Sequence, residues 1–287
     1  MSSGVPAAPL VDPGVGRGLT ELVRKRYLLE LLVRKELRVR YWGSSIGLLW
    51  SYVKPAVQFV VFYFALGVFL QLNKAIENYP IYLFSGVVLV NFFSEAFGNA
   101  TRSVVVNAPL VKKIYLPREL FPVASVIVAV IHFVPQLLVL LVAVTVAGWR
   151  PGFADIGYAF AGFGVVAAFA LGLGLLLAAA NVFFRDVENV VDLALLVVTW
   201  ASPVLYPWTA VRDVLGDGLL LTLYLSNPVT VGVNFFHLAF WAPGLSGPTE
   251  FPPLAGPLLL AALIVAVTLV AGQTMFDRSS GRFAQEL

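Results

Sequence analysis

The residues able to do chemistry in this chain are few, and they sit in short polar islands between long apolar runs. Asn91, Glu95 and Asn99 recur at i, i+4 and i+8, which puts all three on one face of a helix. A carboxylate at membrane depth is costly and faces protein or water. The row therefore either lines a path or closes on a partner helix through hydrogen bonds. His132 and Gln136 form an i, i+4 pair beside Pro135, which leaves a backbone carbonyl free. With no second His, Asp or Glu at ligand spacing, His132 reads as a satisfied structural residue, and no metal site is expected. Arg185 and Asp186, with Glu188 behind them, are the one compact candidate for acid–base work, and an exposed Arg–Asp turn explains them more simply. Two His, no Cys and no zincin-like helix leave an enzyme without convergent catalytic groups. No Gly-Lys-Ser/Thr occurs, so a phosphate-binding loop is missing and no cofactor is expected on this chain.

The elements that must position these residues follow from composition. The chain has 287 residues, 59% of them hydrophobic and only 12% charged, with a mean hydropathy of +0.87. Soluble domains carry about 25% charged residues, so too little polar surface remains to keep this chain in water. The apolar residues fall in runs of roughly 20, the length that crosses about 30 Å of hydrocarbon. Period-2 alternation, the mark of a membrane barrel, is missing. The fold class is an all-α integral membrane protein. The absence of Cys excludes a disulfide framework and thiolate chemistry.

Residues 1–18, rich in Pro, Gly and Ala, are expected to be a disordered tail. Residues 19–47 are expected to form an amphipathic cytoplasmic interface helix, with Arg34, Lys35, Arg38 and Arg40 among its charges and Leu28, Leu31, Leu32, Val39 and Trp42 on one stripe. Such a helix lies on an anionic membrane surface, or is a solvated helix whose charges set topology. Six spans are expected at about 48–70, 80–100, 120–147, 156–182, 190–205 and 257–275. Gly164, Ala168 and Gly172 give the fourth a small-residue seam for close packing. Between the fifth and sixth spans, 206–256 contains an apolar run at 219–241 broken by Asn227-Pro228. Each half is too short to cross, so re-entrant or interfacial helices are expected there, and 276–287 form a tail. With this layout and the N-terminus inside, sixteen of the nineteen Lys and Arg residues fall on the inner side. Only Lys74, Arg150 and Arg212 fall outside, a strong positive-inside bias. Both termini are therefore expected in the cytoplasm.

The island at 102–119 holds Asn107, Lys112, Lys113, Tyr115, Pro117, Arg118 and Glu119 and is too short to be a domain. It reads either as a protrusion that meets another protein or as a turn whose charges fix topology. Two function classes remain: a transporter subunit, and an integral membrane enzyme or flippase acting on lipid-linked substrates.

Several ordered motifs then converge. Residues 32–41, LVRKELRVRY, are followed by GSSIGLLW at 43–50 and by Lys54-Pro55. With the island NAPLVKKIYLPRE at 107–119, Phe184-Arg185-Asp186-Val187, Ser202-Pro203, Tyr206-Pro207 and Asn227-Pro228, this order resembles the membrane subunits of type-two ABC exporters. More narrowly it is similar to permeases exporting lipid-linked polysaccharide such as O-antigen, teichoic acid or cell-wall galactan, and the Lys-poor, Ala/Val/Leu/Gly-rich composition leans towards galactan. The resemblance implies a homodimer joined to two separate ATPase subunits that hold ATP and Mg. It also implies an inner-membrane location and coupling through Asn107, Lys112, Lys113, Tyr115, Pro117, Arg118 and Glu119. Arg34, Lys35, Arg38 and Arg40 would attract a polyprenyl diphosphate, or serve topology and lipid headgroups. Phe59, Phe62, Tyr63, Trp200 and Tyr206 are candidate channel-lining residues, because sugars slide over flat aromatic faces, although each could equally contact lipid. Nucleic acid is not an expected partner.

Overall fold

The computed structural model describes residues 25–42, 47, 50–114, 116–247 and 249–287. The expected tail at 1–18, the start of the interface helix, most of the elbow at 43–49 and Tyr115 lie outside the described residues. Among the described residues all regular structure is helical. Among the described residues four helices are long and apolar enough to cross a membrane, α4 (Tyr79–Val106), α6 (Leu120–Val146), α7 (Phe153–Phe183) and α12 (Ala255–Ser280), and the bent pair Leu219–Leu225 with Pro228–Gly244 makes a fifth if it is one span. At 1.5 Å per residue each of the four exceeds the hydrocarbon thickness. The expected first and fifth spans are shorter elements. The first is α2 (Trp50–Phe62), which widens into π-helical turns over Tyr63–Phe69, and the fifth is α8 (Val187–Trp200), of 14 residues.

The remaining helices are α1 (Arg26–Tyr41), α3 (Leu72–Ala75), α5 (Ala108–Lys113), α9 (Trp208–Leu215), α10 (Leu219–Leu225), α11 (Pro228–Phe236) and α13 (Phe283–Glu286). The helix begun by α11 runs on through His237–Trp241 to Gly244, and α10 meets it at a 68° bend. The bend follows from the sequence: Pro228 has no N–H to give α10's carbonyls, and Asn227 Oδ1 instead accepts from the Val229 N–H at 3.0 Å as an N-cap. Trp208 Nε1 donates to the Glu250 carbonyl at 3.1 Å, and Arg212 pairs with the Glu250 carboxylate. The segment thus begins and ends at the same end of the bundle. The same end holds Asn78 Nδ2 on the Gly244 carbonyl and Trp149 Nε1 on the Ala239 carbonyl. The opposite, basic end carries α1, α5 and α13, where Phe283 packs on Phe183 and Phe276 and the Arg118 guanidinium lies 5.8 Å from the Phe283 ring centre.

Helix α4 is the hub, buried along most of its length between α6, α7 and α8. Small residues let the backbones close in. A Cβ on Gly272 would stand 2.3 Å from the Gly172 carbonyl oxygen, where α7 crosses α12. A Cβ on Gly162 would stand 2.9 Å from the Gly232 carbonyl oxygen, and one on Gly174 would stand 2.6 Å from Ala100 Cβ. The expected seam is therefore corrected in part: Gly172 is in it, but Gly164 faces open space and the close approaches fall on Gly162 and Gly174. The apolar residues of α1 divide between two surroundings. Leu32 and Val33 are buried with Leu28, Leu29 and Leu37 against them, whereas Leu31, Val39 and Trp42 are exposed.

Candidate functional site

The polar residues of α1, α4 and α6 meet in one cleft of about 590 Å³. Helix α1 lies across the first half of α6 and carries Arg40 and Tyr41 inward at its C-terminal end. Glu95 comes from α4 and His132 from α6. Arg40 Nη1 donates to Glu95 Oε1, and His132 Nδ1 lies 2.6 Å from the same oxygen. Tyr41 Oη is 2.8 Å from His132 Nε2. If His132 Nδ1–H donates to Glu95, Nε2 is left to accept the Tyr41 hydroxyl, and the four side chains close into one chain of hydrogen bonds. His132 is buried, Glu95 is 23% exposed and Arg40 is 37% exposed in their side chains. The cluster is a charged interior that opens to the cleft on Arg40's side.

Glu95 lies 11 residues before the basic end of α4, about 16 Å along the helix axis. Asn91 and Asn99 line the same cleft, with Gln58 from α2, Gln136 from α6 and Leu195 from α8. Two buried amide atoms there have no hydrogen-bond partner among the described residues, Asn91 Nδ2 and Gln136 Oε1, the latter on a side chain only 6% exposed. Arg102 forms the wall nearest the basic end. Its Nε donates to Glu188 Oε2 at 3.2 Å and its Nη2 to Asp192 Oδ1 at 2.6 Å, tying α8 to α4, while Asn181 Nδ2 holds the other Glu188 oxygen at 3.1 Å.

The other singled-out residues are dispersed. Arg34 is exposed and pairs with Glu30, and Arg38 is exposed. Lys35 Nζ turns inward and donates to Asn107 Oδ1. Asn107, Pro117, Arg118 and Glu119 are buried, and among the described residues of 107–119 the exposed ones are Pro109, Lys112, Lys113 and Ile114. Arg185 and Asp186 are exposed on a turn. Among the aromatic residues, Phe59 and Tyr63 stack at 6.0 Å and Phe62 packs beside them on the core. Trp200 is exposed, and the Tyr206 hydroxyl donates to the Trp200 carbonyl.

Sequence reasoning joined Asn91, Glu95 and Asn99 but not Arg102, although the i+7 spacing from Glu95 places it on the same face. It also left His132 as a structural residue outside the site. Among the described residues no group of three His, Asp or Glu side chains is placed to hold a metal.

The profile of the ABC-2 type transporter family matches residues 27–241. The chain belongs to this family. Every residue of the polar cleft, from Arg40 to Leu195, falls inside the matched region. The sequence resemblance to type-two ABC exporter permeases is borne out. The chain is 29% identical over 271 residues to an O-antigen export system permease protein, RfbA, of Myxococcus xanthus, covering 94% of this chain and 99% of the relative. It is 31% identical over 184 residues to an RfbA of Klebsiella pneumoniae, covering 63% and 70%. It is 27% identical over 176 residues to the capsule polysaccharide export inner-membrane protein CtrC of Neisseria meningitidis, covering 59% and 63%. This ABC-2 type transporter chain thus shares nearly its whole length with one relative and its larger part with the others.

Proposed function

We propose that this chain is the permease subunit of an ATP-driven exporter that moves polyprenyl-diphosphate-linked polysaccharide from the cytoplasmic leaflet across the plasma membrane. The observation that carries the reading is family membership combined with similarity over nearly the full length to an O-antigen export permease. The fold is in keeping with it. Two of the four long apolar helices, α4 and α6, line the cleft of polar side chains together with α1, α2 and α8, and α1 and α5 gather basic residues at one end.

Under this reading α2 and α8 complete a set of six spans, with α1 on the cytoplasmic surface and both termini inside. Two copies pair, and each engages one ATPase subunit that holds ATP and Mg. Lys112, Lys113 and Ile114 form the outward tip that meets the ATPase, while Asn107, Arg118 and Glu119 anchor the tip to the bundle. The aromatic residues Phe59, Phe62, Tyr63, Trp200 and Tyr206 come to line a path only where two copies face each other. The segment 206–256 closes the outer mouth. Galactan is the polymer we favour.

The test is purification of the tagged chain from its own membranes in mild detergent, with depletion of the chain in parallel. A co-purifying ATPase with a phosphate-binding loop, and lipid-linked polysaccharide accumulating in the inner leaflet on depletion, are the expected results. A chain that emerges alone, with no such lipid accumulating, overturns the reading.

A further inference from the structure

The polar cleft does not stand alone. An apolar groove of about 270 Å³ adjoins it, and the two share Pro55 and Gln136. The groove is walled by Phe59 and Val60 of α2, Ile81 and Phe84 of α4 and Leu140 of α6. It leads from the cleft towards the end opposite the basic one, since Ile81 and Phe84 sit in the first turns of α4 and Arg102 near its last. A polar compartment beside an apolar one, with Pro55 and Gln136 bordering both, suits the two parts of an amphiphile, and the combined space falls in the range of small-molecule sites, about 300–1,000 Å³.

The polar compartment also specifies a head. Arg40 spends one guanidinium nitrogen on Glu95, and its fork matches the oxygens of a phosphoryl group. Asn91 Nδ2 and Gln136 Oε1 are a donor and an acceptor without partners. Leaving such groups unmet costs free energy, and hydroxyls, which both donate and accept, are groups able to meet them. A phosphate alone satisfies only the donor. We infer that cleft and groove form one binding site for a phosphoryl-headed lipid bearing sugar hydroxyls, in which Glu95 is a built-in competitor that holds Arg40 until the phosphoryl group displaces it. His132 Nδ1 stays within hydrogen-bond reach of the released Glu95 carboxylate. The choice of a glycosylated polyprenyl diphosphate over an ordinary phospholipid rests on the proposed export function.

The competitor role fixes opposite signs for two substitutions, which a merely structural ion pair does not. The experiment is native mass spectrometry of the full-length chain with four probes: a polyprenyl diphosphate carrying one sugar, the same diphosphate without sugar, the neutral polyprenol, and phosphatidylglycerol. The sugar-bearing diphosphate is expected to be retained best. Arg40→Gln should weaken it about tenfold, and Glu95→Gln should tighten it. Gln136→Leu should bring it down to the level of the unglycosylated diphosphate. Ala56→Trp, which fills the groove and leaves the cluster intact, should weaken all four probes. It keeps the test valid if Arg40→Gln misfolds. Equal retention of the neutral polyprenol, or unchanged retention in Ala56→Trp, overturns the site. Equal retention of phosphatidylglycerol makes it a general lipid site, and weaker binding in Glu95→Gln overturns the competitor role. A partner ATPase and accumulating lipid alongside failed binding would remove this inference and leave the export function standing. Selective binding in a chain with no ATPase partner would do the reverse.

Discussion

Arg40 and Glu95 stand 55 residues apart in sequence, on different helices, and meet through a hydrogen-bonded ion pair that also takes in His132. The pair ties α1 to α4. Because Arg40 is more than a third exposed, solvent screens much of its charge, and exposed pairs contribute about 0.2–1 kcal/mol. A double-mutant cycle of Arg40→Gln and Glu95→Gln should give a coupling of about 1 kcal/mol in thermal unfolding. A coupling indistinguishable from zero would mean the two side chains merely lie side by side.

The outward tip of the island gives a second prediction. Lys112 and Lys113 are exposed, so replacing both with Ala should change stability by no more than about 0.5 kcal/mol. Export should nevertheless fall sharply while the chain remains in the membrane. Unimpaired export in this double variant would remove the coupling role.

Backbone contact between α7 and α12 is the most sterically demanding crossing. Gly272→Ala drives a methyl to 2.3 Å from the Gly172 carbonyl oxygen and should cost about 1–3 kcal/mol or more. Gly164→Ala meets nothing within 4 Å and should be neutral or slightly stabilising, since alanine suits a helix better. Melting temperatures in one detergent decide it, and a Gly164→Ala loss equal to that of Gly272→Ala would contradict the crossing.

Glu36 gives a pH dependence. Burial raises its carboxyl above the ordinary 4.5, against the opposing pull of Lys35, Ser125, Arg40 and Asn107. A carboxyl raised in the folded state contributes stability that is full below its unfolded value and lost as pH rises through the folded one. Glu36→Gln should therefore be more stable than wild type near neutral pH, with the advantage vanishing as pH falls below about 4.5. Unfolding midpoints across that range will show it; a Gln variant that is the weaker at neutral pH would reverse the sign.

Topology is open to direct labelling because the chain has no Cys of its own. A cysteine at Asp217 should react with an impermeant thiol reagent added outside, and one at Gly281 only after permeabilisation. Asp217 is preferred to its neighbour Gly216, whose φ of +66° would strain a side chain. Labelling of Gly281→Cys in intact cells would place the C-terminal tail outside.

Much of this was written in local sequence. The long apolar runs, the break at Asn227-Pro228, the basic first helix and the row of Asn91, Glu95 and Asn99 each follow from spacing and residue type. What spacing could not give was which rows face each other. His132 looked isolated because its partners, Arg40, Tyr41 and Glu95, lie 92, 91 and 37 residues away. On α1, periodicity found the apolar positions but not what covers each: Leu32 and Val33 pack on protein, whereas Leu31, Val39 and Trp42 stay exposed, since an apolar residue suits lipid and protein alike. The seam on α7 slipped from Gly164 to Gly162 and Gly174 because glycines recur there in more than one register.

The contact of Arg118 with the Phe283 ring has a mechanical consequence. The short loop around α5 is braced on three sides. Asn107 joins it to α4 and, through Lys35, to α1; Glu119 leads directly into α6; and Phe283 clamps it to Phe183 and Phe276 at the ends of α7 and α12. A load applied at Lys112 and Lys113 is thus shared among five helices at once, and the last few residues of the chain serve as the bearing that spreads it.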